Sequence, residues 1–179
     1  MMKRWFTSDL HFDHKSIMKF CPETRKYEST DQMNRAIIAN WQSQVNPEDQ
    51  VYILGDMFFC KAEKAVSILQ QLPGHKHLIY GNHDKVIQSN SELRSYFTSI
   101  SNYKEISVDD KDIILFHFPI WEWNKIHRGA YHLYGHVHGR SVVPGRAMDV
   151  GIDTRIDNML WSWEEIDTKL RKLEIRDHH

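Results

Sequence analysis

The chain has 179 residues, 41% hydrophobic and 26% charged, with 23 basic against 24 acidic side chains and a formal charge of -1. That balance excludes a disordered chain and predicts a single domain over residues 1–179 with a substantial core. A net charge this close to zero gives no support to a binder of long duplex nucleic acid or of membrane surfaces. The opening MMKRWFTSDLH is positive but has no apolar run long enough for a signal peptide, and IILFHFPIW is interrupted by His117 and Pro119, so no membrane association is expected. Cys21 and Cys60 lack CxxC spacing, which predicts reduced thiols and a cytoplasmic protein.

Short β-rich runs recur along the chain, each ending in polar residues. Arg4–Ser8 runs into Asp9-Leu10-His11. Asp31–Val45 then places Met33, Ile37, Ile38, Trp41 and Val45 at helical spacing, with Thr30 or Asp31 as the cap. Val51–Leu54 runs into Gly55-Asp56. A second helix, Lys61–Leu72, is stopped by Pro73-Gly74. His77–Tyr80 leads into Gly81-Asn82-His83-Asp84. Tyr103–Val108, a charged turn Asp109–Asp112, and Ile113–Phe116 read as an antiparallel hairpin that ends at His117. Tyr131–Tyr134 runs into GHVHGR (Gly135–Arg140), Ala147–Gly151 is a further strand, and Ser162–Leu173 is a last amphipathic helix. Alternating strands and helices predict βαβ units around a buried parallel sheet, with a second, more antiparallel sheet from the C-terminal half.

The strand ends share one chemistry. They carry Asp9 and His11, Asp56, Asn82 and His83, His117, and His136 and His138, all residue types that ligate metals. In open α/β sheets such residues converge at the carboxyl ends of strands. Asp9-x-His11 and His136-x-His138 would each set two ligands on one side of an extended segment, with Gly135 and Gly139 supplying bends that let both imidazoles reach in. The mixed oxygen and nitrogen set suits Zn, Mn, Fe, Co or Ni better than a thiolate site does. Two pairs plus three single ligands are too many for one tetrahedral ion and enough for two that share a carboxylate.

The set SDLH (Ser8–His11), GD (Gly55-Asp56), GNHD (Gly81–Asp84), His117 and GHVH (Gly135–His138) resembles the calcineurin-like metallophosphoesterase family in motif and in order. The opening SDLHFDHKSIMKFC is similar to a compact bacterial or phage subgroup. The resemblance implies an α/β fold, a two-sheet αββα sandwich of the metallophosphoesterase type. It also implies two divalent ions (Mn, Fe, Zn, Ni or Co, with Mn favoured). One would be held by Asp9, His11 and His138, the other by Asn82, His117 and His136, with Asp56 between them. His83 corresponds to the family's non-ligand histidine beside the phosphate and Asp84 to the carboxylate that orients it.

The chemistry fits these residues. Two divalent ions about 3.5–4 Å apart neutralise phosphate oxygens and lower the pKa of a bridging water, so that a hydroxide can attack in line. His83, with Asp84 behind it, would protonate the leaving oxygen. A phosphodiester is favoured, because the complete histidine pairs suit a monoanionic diester; a nucleotide or nucleic-acid end is a reasonable substrate class. The alternatives are a phosphomonoesterase or protein phosphatase of the same fold, and a non-catalytic interaction module on this scaffold.

Outside the motifs, His14, Lys125 and Arg128 are candidate substrate contacts and Arg155 a weaker phosphate candidate. Val150–Asp153 reads as the close of a core strand, and His75, His77, His127 and His132 as surface or hydrogen-bonded histidines. Met57-Phe58-Phe59 predicts an unusually apolar approach to the site. His178 and His179 close the chain and are set aside.

Overall fold

The computed structural model describes residues 2–177, so His178 and His179 lie outside the described residues. Among the described residues nine strands form in chain order: β1 (Arg4–Thr7), β2 (Gln50–Ile53), β3 (His75–Ile79), β4 (Ser99–Ser101), β5 (Tyr103–Val108), β6 (Lys111–Phe116), β7 (Tyr131–Tyr134), β8 (Ala147–Asp149) and β9 (Trp161–Ser162). The helices are α1 (Ile17–Phe20), α2 (Thr30–Gln44), α3 (Ala62–Leu69), α4 (Lys85–Gln88), α5 (Ser91–Ser95) and α6 (Trp163–Leu170). None among the described residues is long and apolar enough to cross a membrane.

The strands make two sheets, ordered β4-β3-β2-β1-β9 and β5-β6-β7-β8. β1 to β4 are parallel, as the βαβ pattern requires, and β9 closes the edge antiparallel to β1. The second sheet departs from the antiparallel expectation. Only the β5–β6 hairpin is antiparallel; β6, β7 and β8 are parallel neighbours. The reason is the connection after His117, which carries the chain back to the starting end of the sheet before β7 begins. The hairpin turn is also tighter than expected: Asp109 and Asp110 adopt φ 48° and 61°, while Lys111 and Asp112 already pair with Val108 and Ser107.

Side-chain alternation builds the layers. Trp5, Val51, Ile53 and Leu78 face Met33, Ile37 and Trp41 of α2 and Ala65, Ile68 and Leu69 of α3. Phe6, Tyr52, Leu54 and Ile79 face Ile113, Leu115, Tyr131 and Leu133 across the inter-sheet core, which Trp163, Ile166 and Leu170 of α6 extend. The outer side of the second sheet (Ile114, Tyr134, Ala147) is covered by Trp123, Ile126 and Ala130 from the β6–β7 connection, which holds only a 3-10 turn at Ile126–Arg128. Each fully buried large apolar side chain contributes about 1.5–3 kcal/mol, so this three-layered core is what fixes the positions of the strand ends.

The cap of α2 is Ser29, whose hydroxyl accepts from the Gln32 N–H; Thr30 and Asp31 fall inside the first turn. A capping box of Ser162 and Glu165 opens α6, so Ser162 precedes that helix. The helices α1, α4 and α5 have too few turns to leave a periodic apolar signal.

Candidate metal centre

The parallel strands β1, β2 and β3 deliver their carboxyl ends to one edge of the first sheet, and β6 and β7 deliver theirs beside it. Past these ends the backbone is not extended. Asp9, His11, Asp56, His136 and His138 all have positive φ, at 56°, 49°, 58°, 70° and 50°. The expected side-by-side pairs on extended segments are therefore replaced by left-handed turns. Each such non-glycine residue costs about 1–3 kcal/mol and persists only where its surroundings over-determine it.

The loops after β1 and β2 supply part of that determination, since the Asp9, His11 and Phe12 N–H groups donate to the Gly55, Asp56 and Met57 carbonyls at 3.0, 3.0 and 2.8 Å. Gly135 lets β7 close in: a Cβ there would lie 2.0 Å from Ser8 Oγ and 2.5 Å from Asp9 Oδ2. Gly139 serves the other purpose, bending the chain at φ +74°, where a Cβ would meet only Thr154 at an ordinary contact distance of 3.7 Å.

Two clusters of the predicted ligands result, beside a third group of Cys21, His138 and Asp153 that could also hold an ion. The ligating atoms of Asp9, His11 and His138 lie within 4.8 Å of one another, and so do those of Asp56, His117 and His136. Asn82 joins the second cluster, its Oδ1 3.1 Å from His117 Nε2. Asp56 Oδ2 stands between the two, 3.9 Å from His11 Nε2 and 3.5 Å from His117 Nε2. Its other oxygen accepts the His83 backbone N–H at 2.9 Å. Asp9 Oδ2 accepts the His136 N–H at 2.9 Å, while Asp9 Oδ1 lies 3.7 Å from His11 Nε2 and 3.9 Å from His138 Nε2. Asp9 Oδ1 and His11 Nε2 are buried without a hydrogen-bond partner. Orphaned buried polar atoms are expensive, and these two lie 3.7 Å apart, which fits a cation held between them.

Three imidazoles are oriented from behind. His117 Nδ1 meets the Leu54 carbonyl at 2.6 Å, His138 Nδ1 meets Asp153 Oδ2 at 2.7 Å, and His11 Nδ1 meets His14 Nδ1 at 3.0 Å. Engaging Nδ1 leaves Nε2 turned toward the cluster, the arrangement metal-binding histidines need. His14, a candidate substrate contact, is thus the hydrogen-bond partner of His11. Burial first, then the neighbouring His11 and His83, hold its pKa down to about 4, so at neutral pH it is uncharged. Burial opposes charge on His138, but the Asp153 and Cys21 hydrogen bonds outweigh it and lift its pKa to about 10 in the metal-free protein. The Phe59 ring stacks on His14 at 3.8 Å and on His11 at 4.8 Å; with those two rings 5.2 Å apart, it covers the pair from one face. The apolar Met57-Phe58-Phe59 run thus places one phenyl ring against the centre and buries the other two side chains in the core.

Several expectations are corrected. Asp84 does not orient His83: its buried carboxylate accepts three backbone N–H groups, from Asp56, Met57 and Gly81, at 2.9, 3.0 and 2.8 Å. It clamps the β2 loop to the β3 loop. His83 is exposed at the mouth, its ring 4.9 Å from Phe59. Lys125 and Arg128 lie in the connection that returns to the starting ends of β6 and β7, opposite the site, and Lys125 pairs with Asp112 at 2.9 Å. Arg155 is held by Asp157 and Glu165 and lies over Trp161.

Among the histidines read as hydrogen-bonded, His77 bonds Ser99 and Gln50, and His132 bonds the Ile120 N–H and the Ile114 carbonyl. Asp153 is not the end of a strand; it sits in a 3-10 turn, Ile152–Thr154, and grips His138. Sequence reasoning missed that role because its partners lie far off in the chain. Its one local signal was a carboxylate just past a strand.

The motif set and this two-sheet scaffold define a phosphoesterase class of fold, and comparison with known proteins agrees. Residues 2–148 match the calcineurin-like phosphoesterase superfamily domain, and the chain belongs to that superfamily. It is 41% identical to the uncharacterized protein MJ1445 of Methanocaldococcus jannaschii over 87 residues, a match spanning about half of each protein (48% and 48%). It is 29% identical to the Gene 66 protein of Mycobacterium phage L5 over 86% of this chain and 87% of that one. Among solved structures, the protein of unknown function AQ665 from Aquifex aeolicus superimposes with a TM-score of 0.75 at 28% identity, covering 94% of this chain and 99% of that chain.

Proposed function

We propose that this phosphoesterase hydrolyses a phosphodiester, with a nucleotide or nucleic-acid end as the substrate class, and that it works with two divalent ions. The whole chain, 1–179, serves as one domain in this reading. Asp9, His11 and His138 would hold one ion; Asn82, His117 and His136 the other; Asp56 would serve both. The observation that carries this reading is the position of Asp56 Oδ2, within 4 Å of a histidine nitrogen from each cluster. The mixed oxygen and nitrogen donors of that set suit Mn, Fe, Zn, Ni or Co, and the family resemblance favours Mn among them.

Such an ion pair, when bound, supplies charge neutralisation on the phosphate oxygens and an activated water. The chain does the rest. Asp84 fixes the two loops so that Asp56 stays between the clusters, and His83 stands at the mouth, anchored through its backbone on Asp56, to give a proton to the leaving oxygen. Phe59 shields the His11–His14 pair from water.

The test is a panel on metal-stripped protein with Mn²⁺ restored: bis(p-nitrophenyl) phosphate, p-nitrophenyl phosphate and cyclic nucleotides. Metal-dependent hydrolysis with the diester fastest is expected. Preference for the monoester would reassign the substrate, and hydrolysis of none would remove the enzymatic reading.

A further inference from the structure

Arg25 lies between α1 and α2, outside every motif of the family, yet its side chain is almost wholly buried, at 1% exposure. A guanidinium has five N–H donors, and here all five are engaged. Nε and one Nη2 hydrogen clasp Asp153 at 2.7 and 2.9 Å. The other Nη2 hydrogen reaches the Asp9 carbonyl at 2.6 Å, and Nη1 reaches the Leu10 carbonyl at 3.0 Å and Met33 Sδ at 3.9 Å. Thr24 adds its hydroxyl to Asp153 Oδ1 at 2.7 Å.

These partners are particular. Asp9 and His11 flank Leu10 in left-handed backbone, a shape that needs external support. Asp153 is the group that turns the His138 imidazole. One planar cation therefore ties together the β1 loop, the 152–154 turn and, through Asp153, the β7 loop. All three contribute to the cluster of Asp9, His11 and His138. The second cluster has a different support, Asp84 and the Leu54 carbonyl.

We propose that Arg25 is a positioning residue of the metal centre: through Asp153 and the Asp9 and Leu10 carbonyls it holds the Asp9–His11–His138 cluster in its ion-binding shape. The proposal rests on the two-ion reading above. It assigns the Cys21–Arg25 segment to the functional site.

The test is calorimetric titration of metal-free protein with Mn²⁺ for the wild type, R25K and D153N, alongside thermal melts of each. R25K keeps the charge but loses the planar fork. D153N keeps the size, and its single acceptor oxygen cannot serve Arg25 and His138 as a carboxylate does; it remains informative if R25K does not fold. In both variants one of two binding steps is expected to weaken about 10–100-fold, the usual consequence of losing a partner behind a metal ligand, while the other keeps its wild-type affinity. A merely structural role would lower the melting temperature and leave both steps unchanged, or weaken both alike; either result overturns the proposal. A wild type that binds no Mn²⁺ overturns the two-ion reading and this proposal with it, whereas two intact steps in both variants overturn this proposal alone.

Discussion

At the residue scale, the motif residues that the fold gathers at the strand ends were legible because each motif is local: a few residues after a β-rich run. Their backbone was not. Nothing in SDLH, GD or GHVH announces five non-glycine residues with positive φ, since that geometry is imposed by contacts between loops. Asp84 shows the same limit. Its place beside His83 in the chain suggested a carboxylate–imidazole pair, yet backbone direction turns it the other way, onto three N–H groups. Two outcomes follow. His83→Ala should retain bound metal and lose about 10²–10⁴-fold in kcat, as expected for a missing general acid; loss of metal would contradict its proposed role as a non-ligand. Asp84→Ala should leave three buried donors unpaired and reduce unfolding free energy by about 2–4 kcal/mol in urea titrations. A change below about 0.5 kcal/mol, the range of an ordinary surface substitution, would contradict the clamp.

At the element scale, long amphipathic α2 and α3 and the central strands were readable from periodicity, whereas β4, β9 and the short helices were not. A strand of two or three residues is defined by its neighbour: Trp161–Ser162 is a strand only because β1 lies beside it. The junctions are more demanding than the elements. Gly135→Ala, which adds one methyl group, drives that carbon into Ser8 Oγ and Asp9 Oδ2, and Mn²⁺ affinity should fall with it. Wild-type affinity in that variant would show that the β7 loop need not sit so close. Ser29→Ala removes the α2 cap and should cost about 1 kcal/mol without affecting metal binding, because α2 lies behind the first sheet.

At the scale of the whole molecule, the two-sheet architecture could be anticipated from strand–helix alternation and the family resemblance. The parallel pairing within the second sheet could not, because it depends on where an irregular connection runs. That same connection explains why Lys125 and Arg128 are remote from the centre.

Its outer layer also holds fully buried His132, whose pKa burial lowers to about 4, hydrogen bonding to the Ile114 and Phe118 backbone opposing only in part. The unfolded chain takes up this proton near pH 6.5 and the folded one near 4, so His132 contributes a stability that is lost as pH falls across that interval. The melting-temperature advantage of the wild type over His132→Gln should therefore shrink between pH 6.5 and 4; an advantage that grows would reverse the sign assigned to this residue.

The proposed two-ion centre, with Asp56 serving both clusters, is tested most directly by metal stoichiometry. Wild type reconstituted with excess Mn²⁺, desalted and measured by mass spectrometry of the elements should hold two ions per chain, and Asp56→Asn should fail to retain that pair. One ion per wild-type chain, or an undiminished pair in Asp56→Asn, would contradict it.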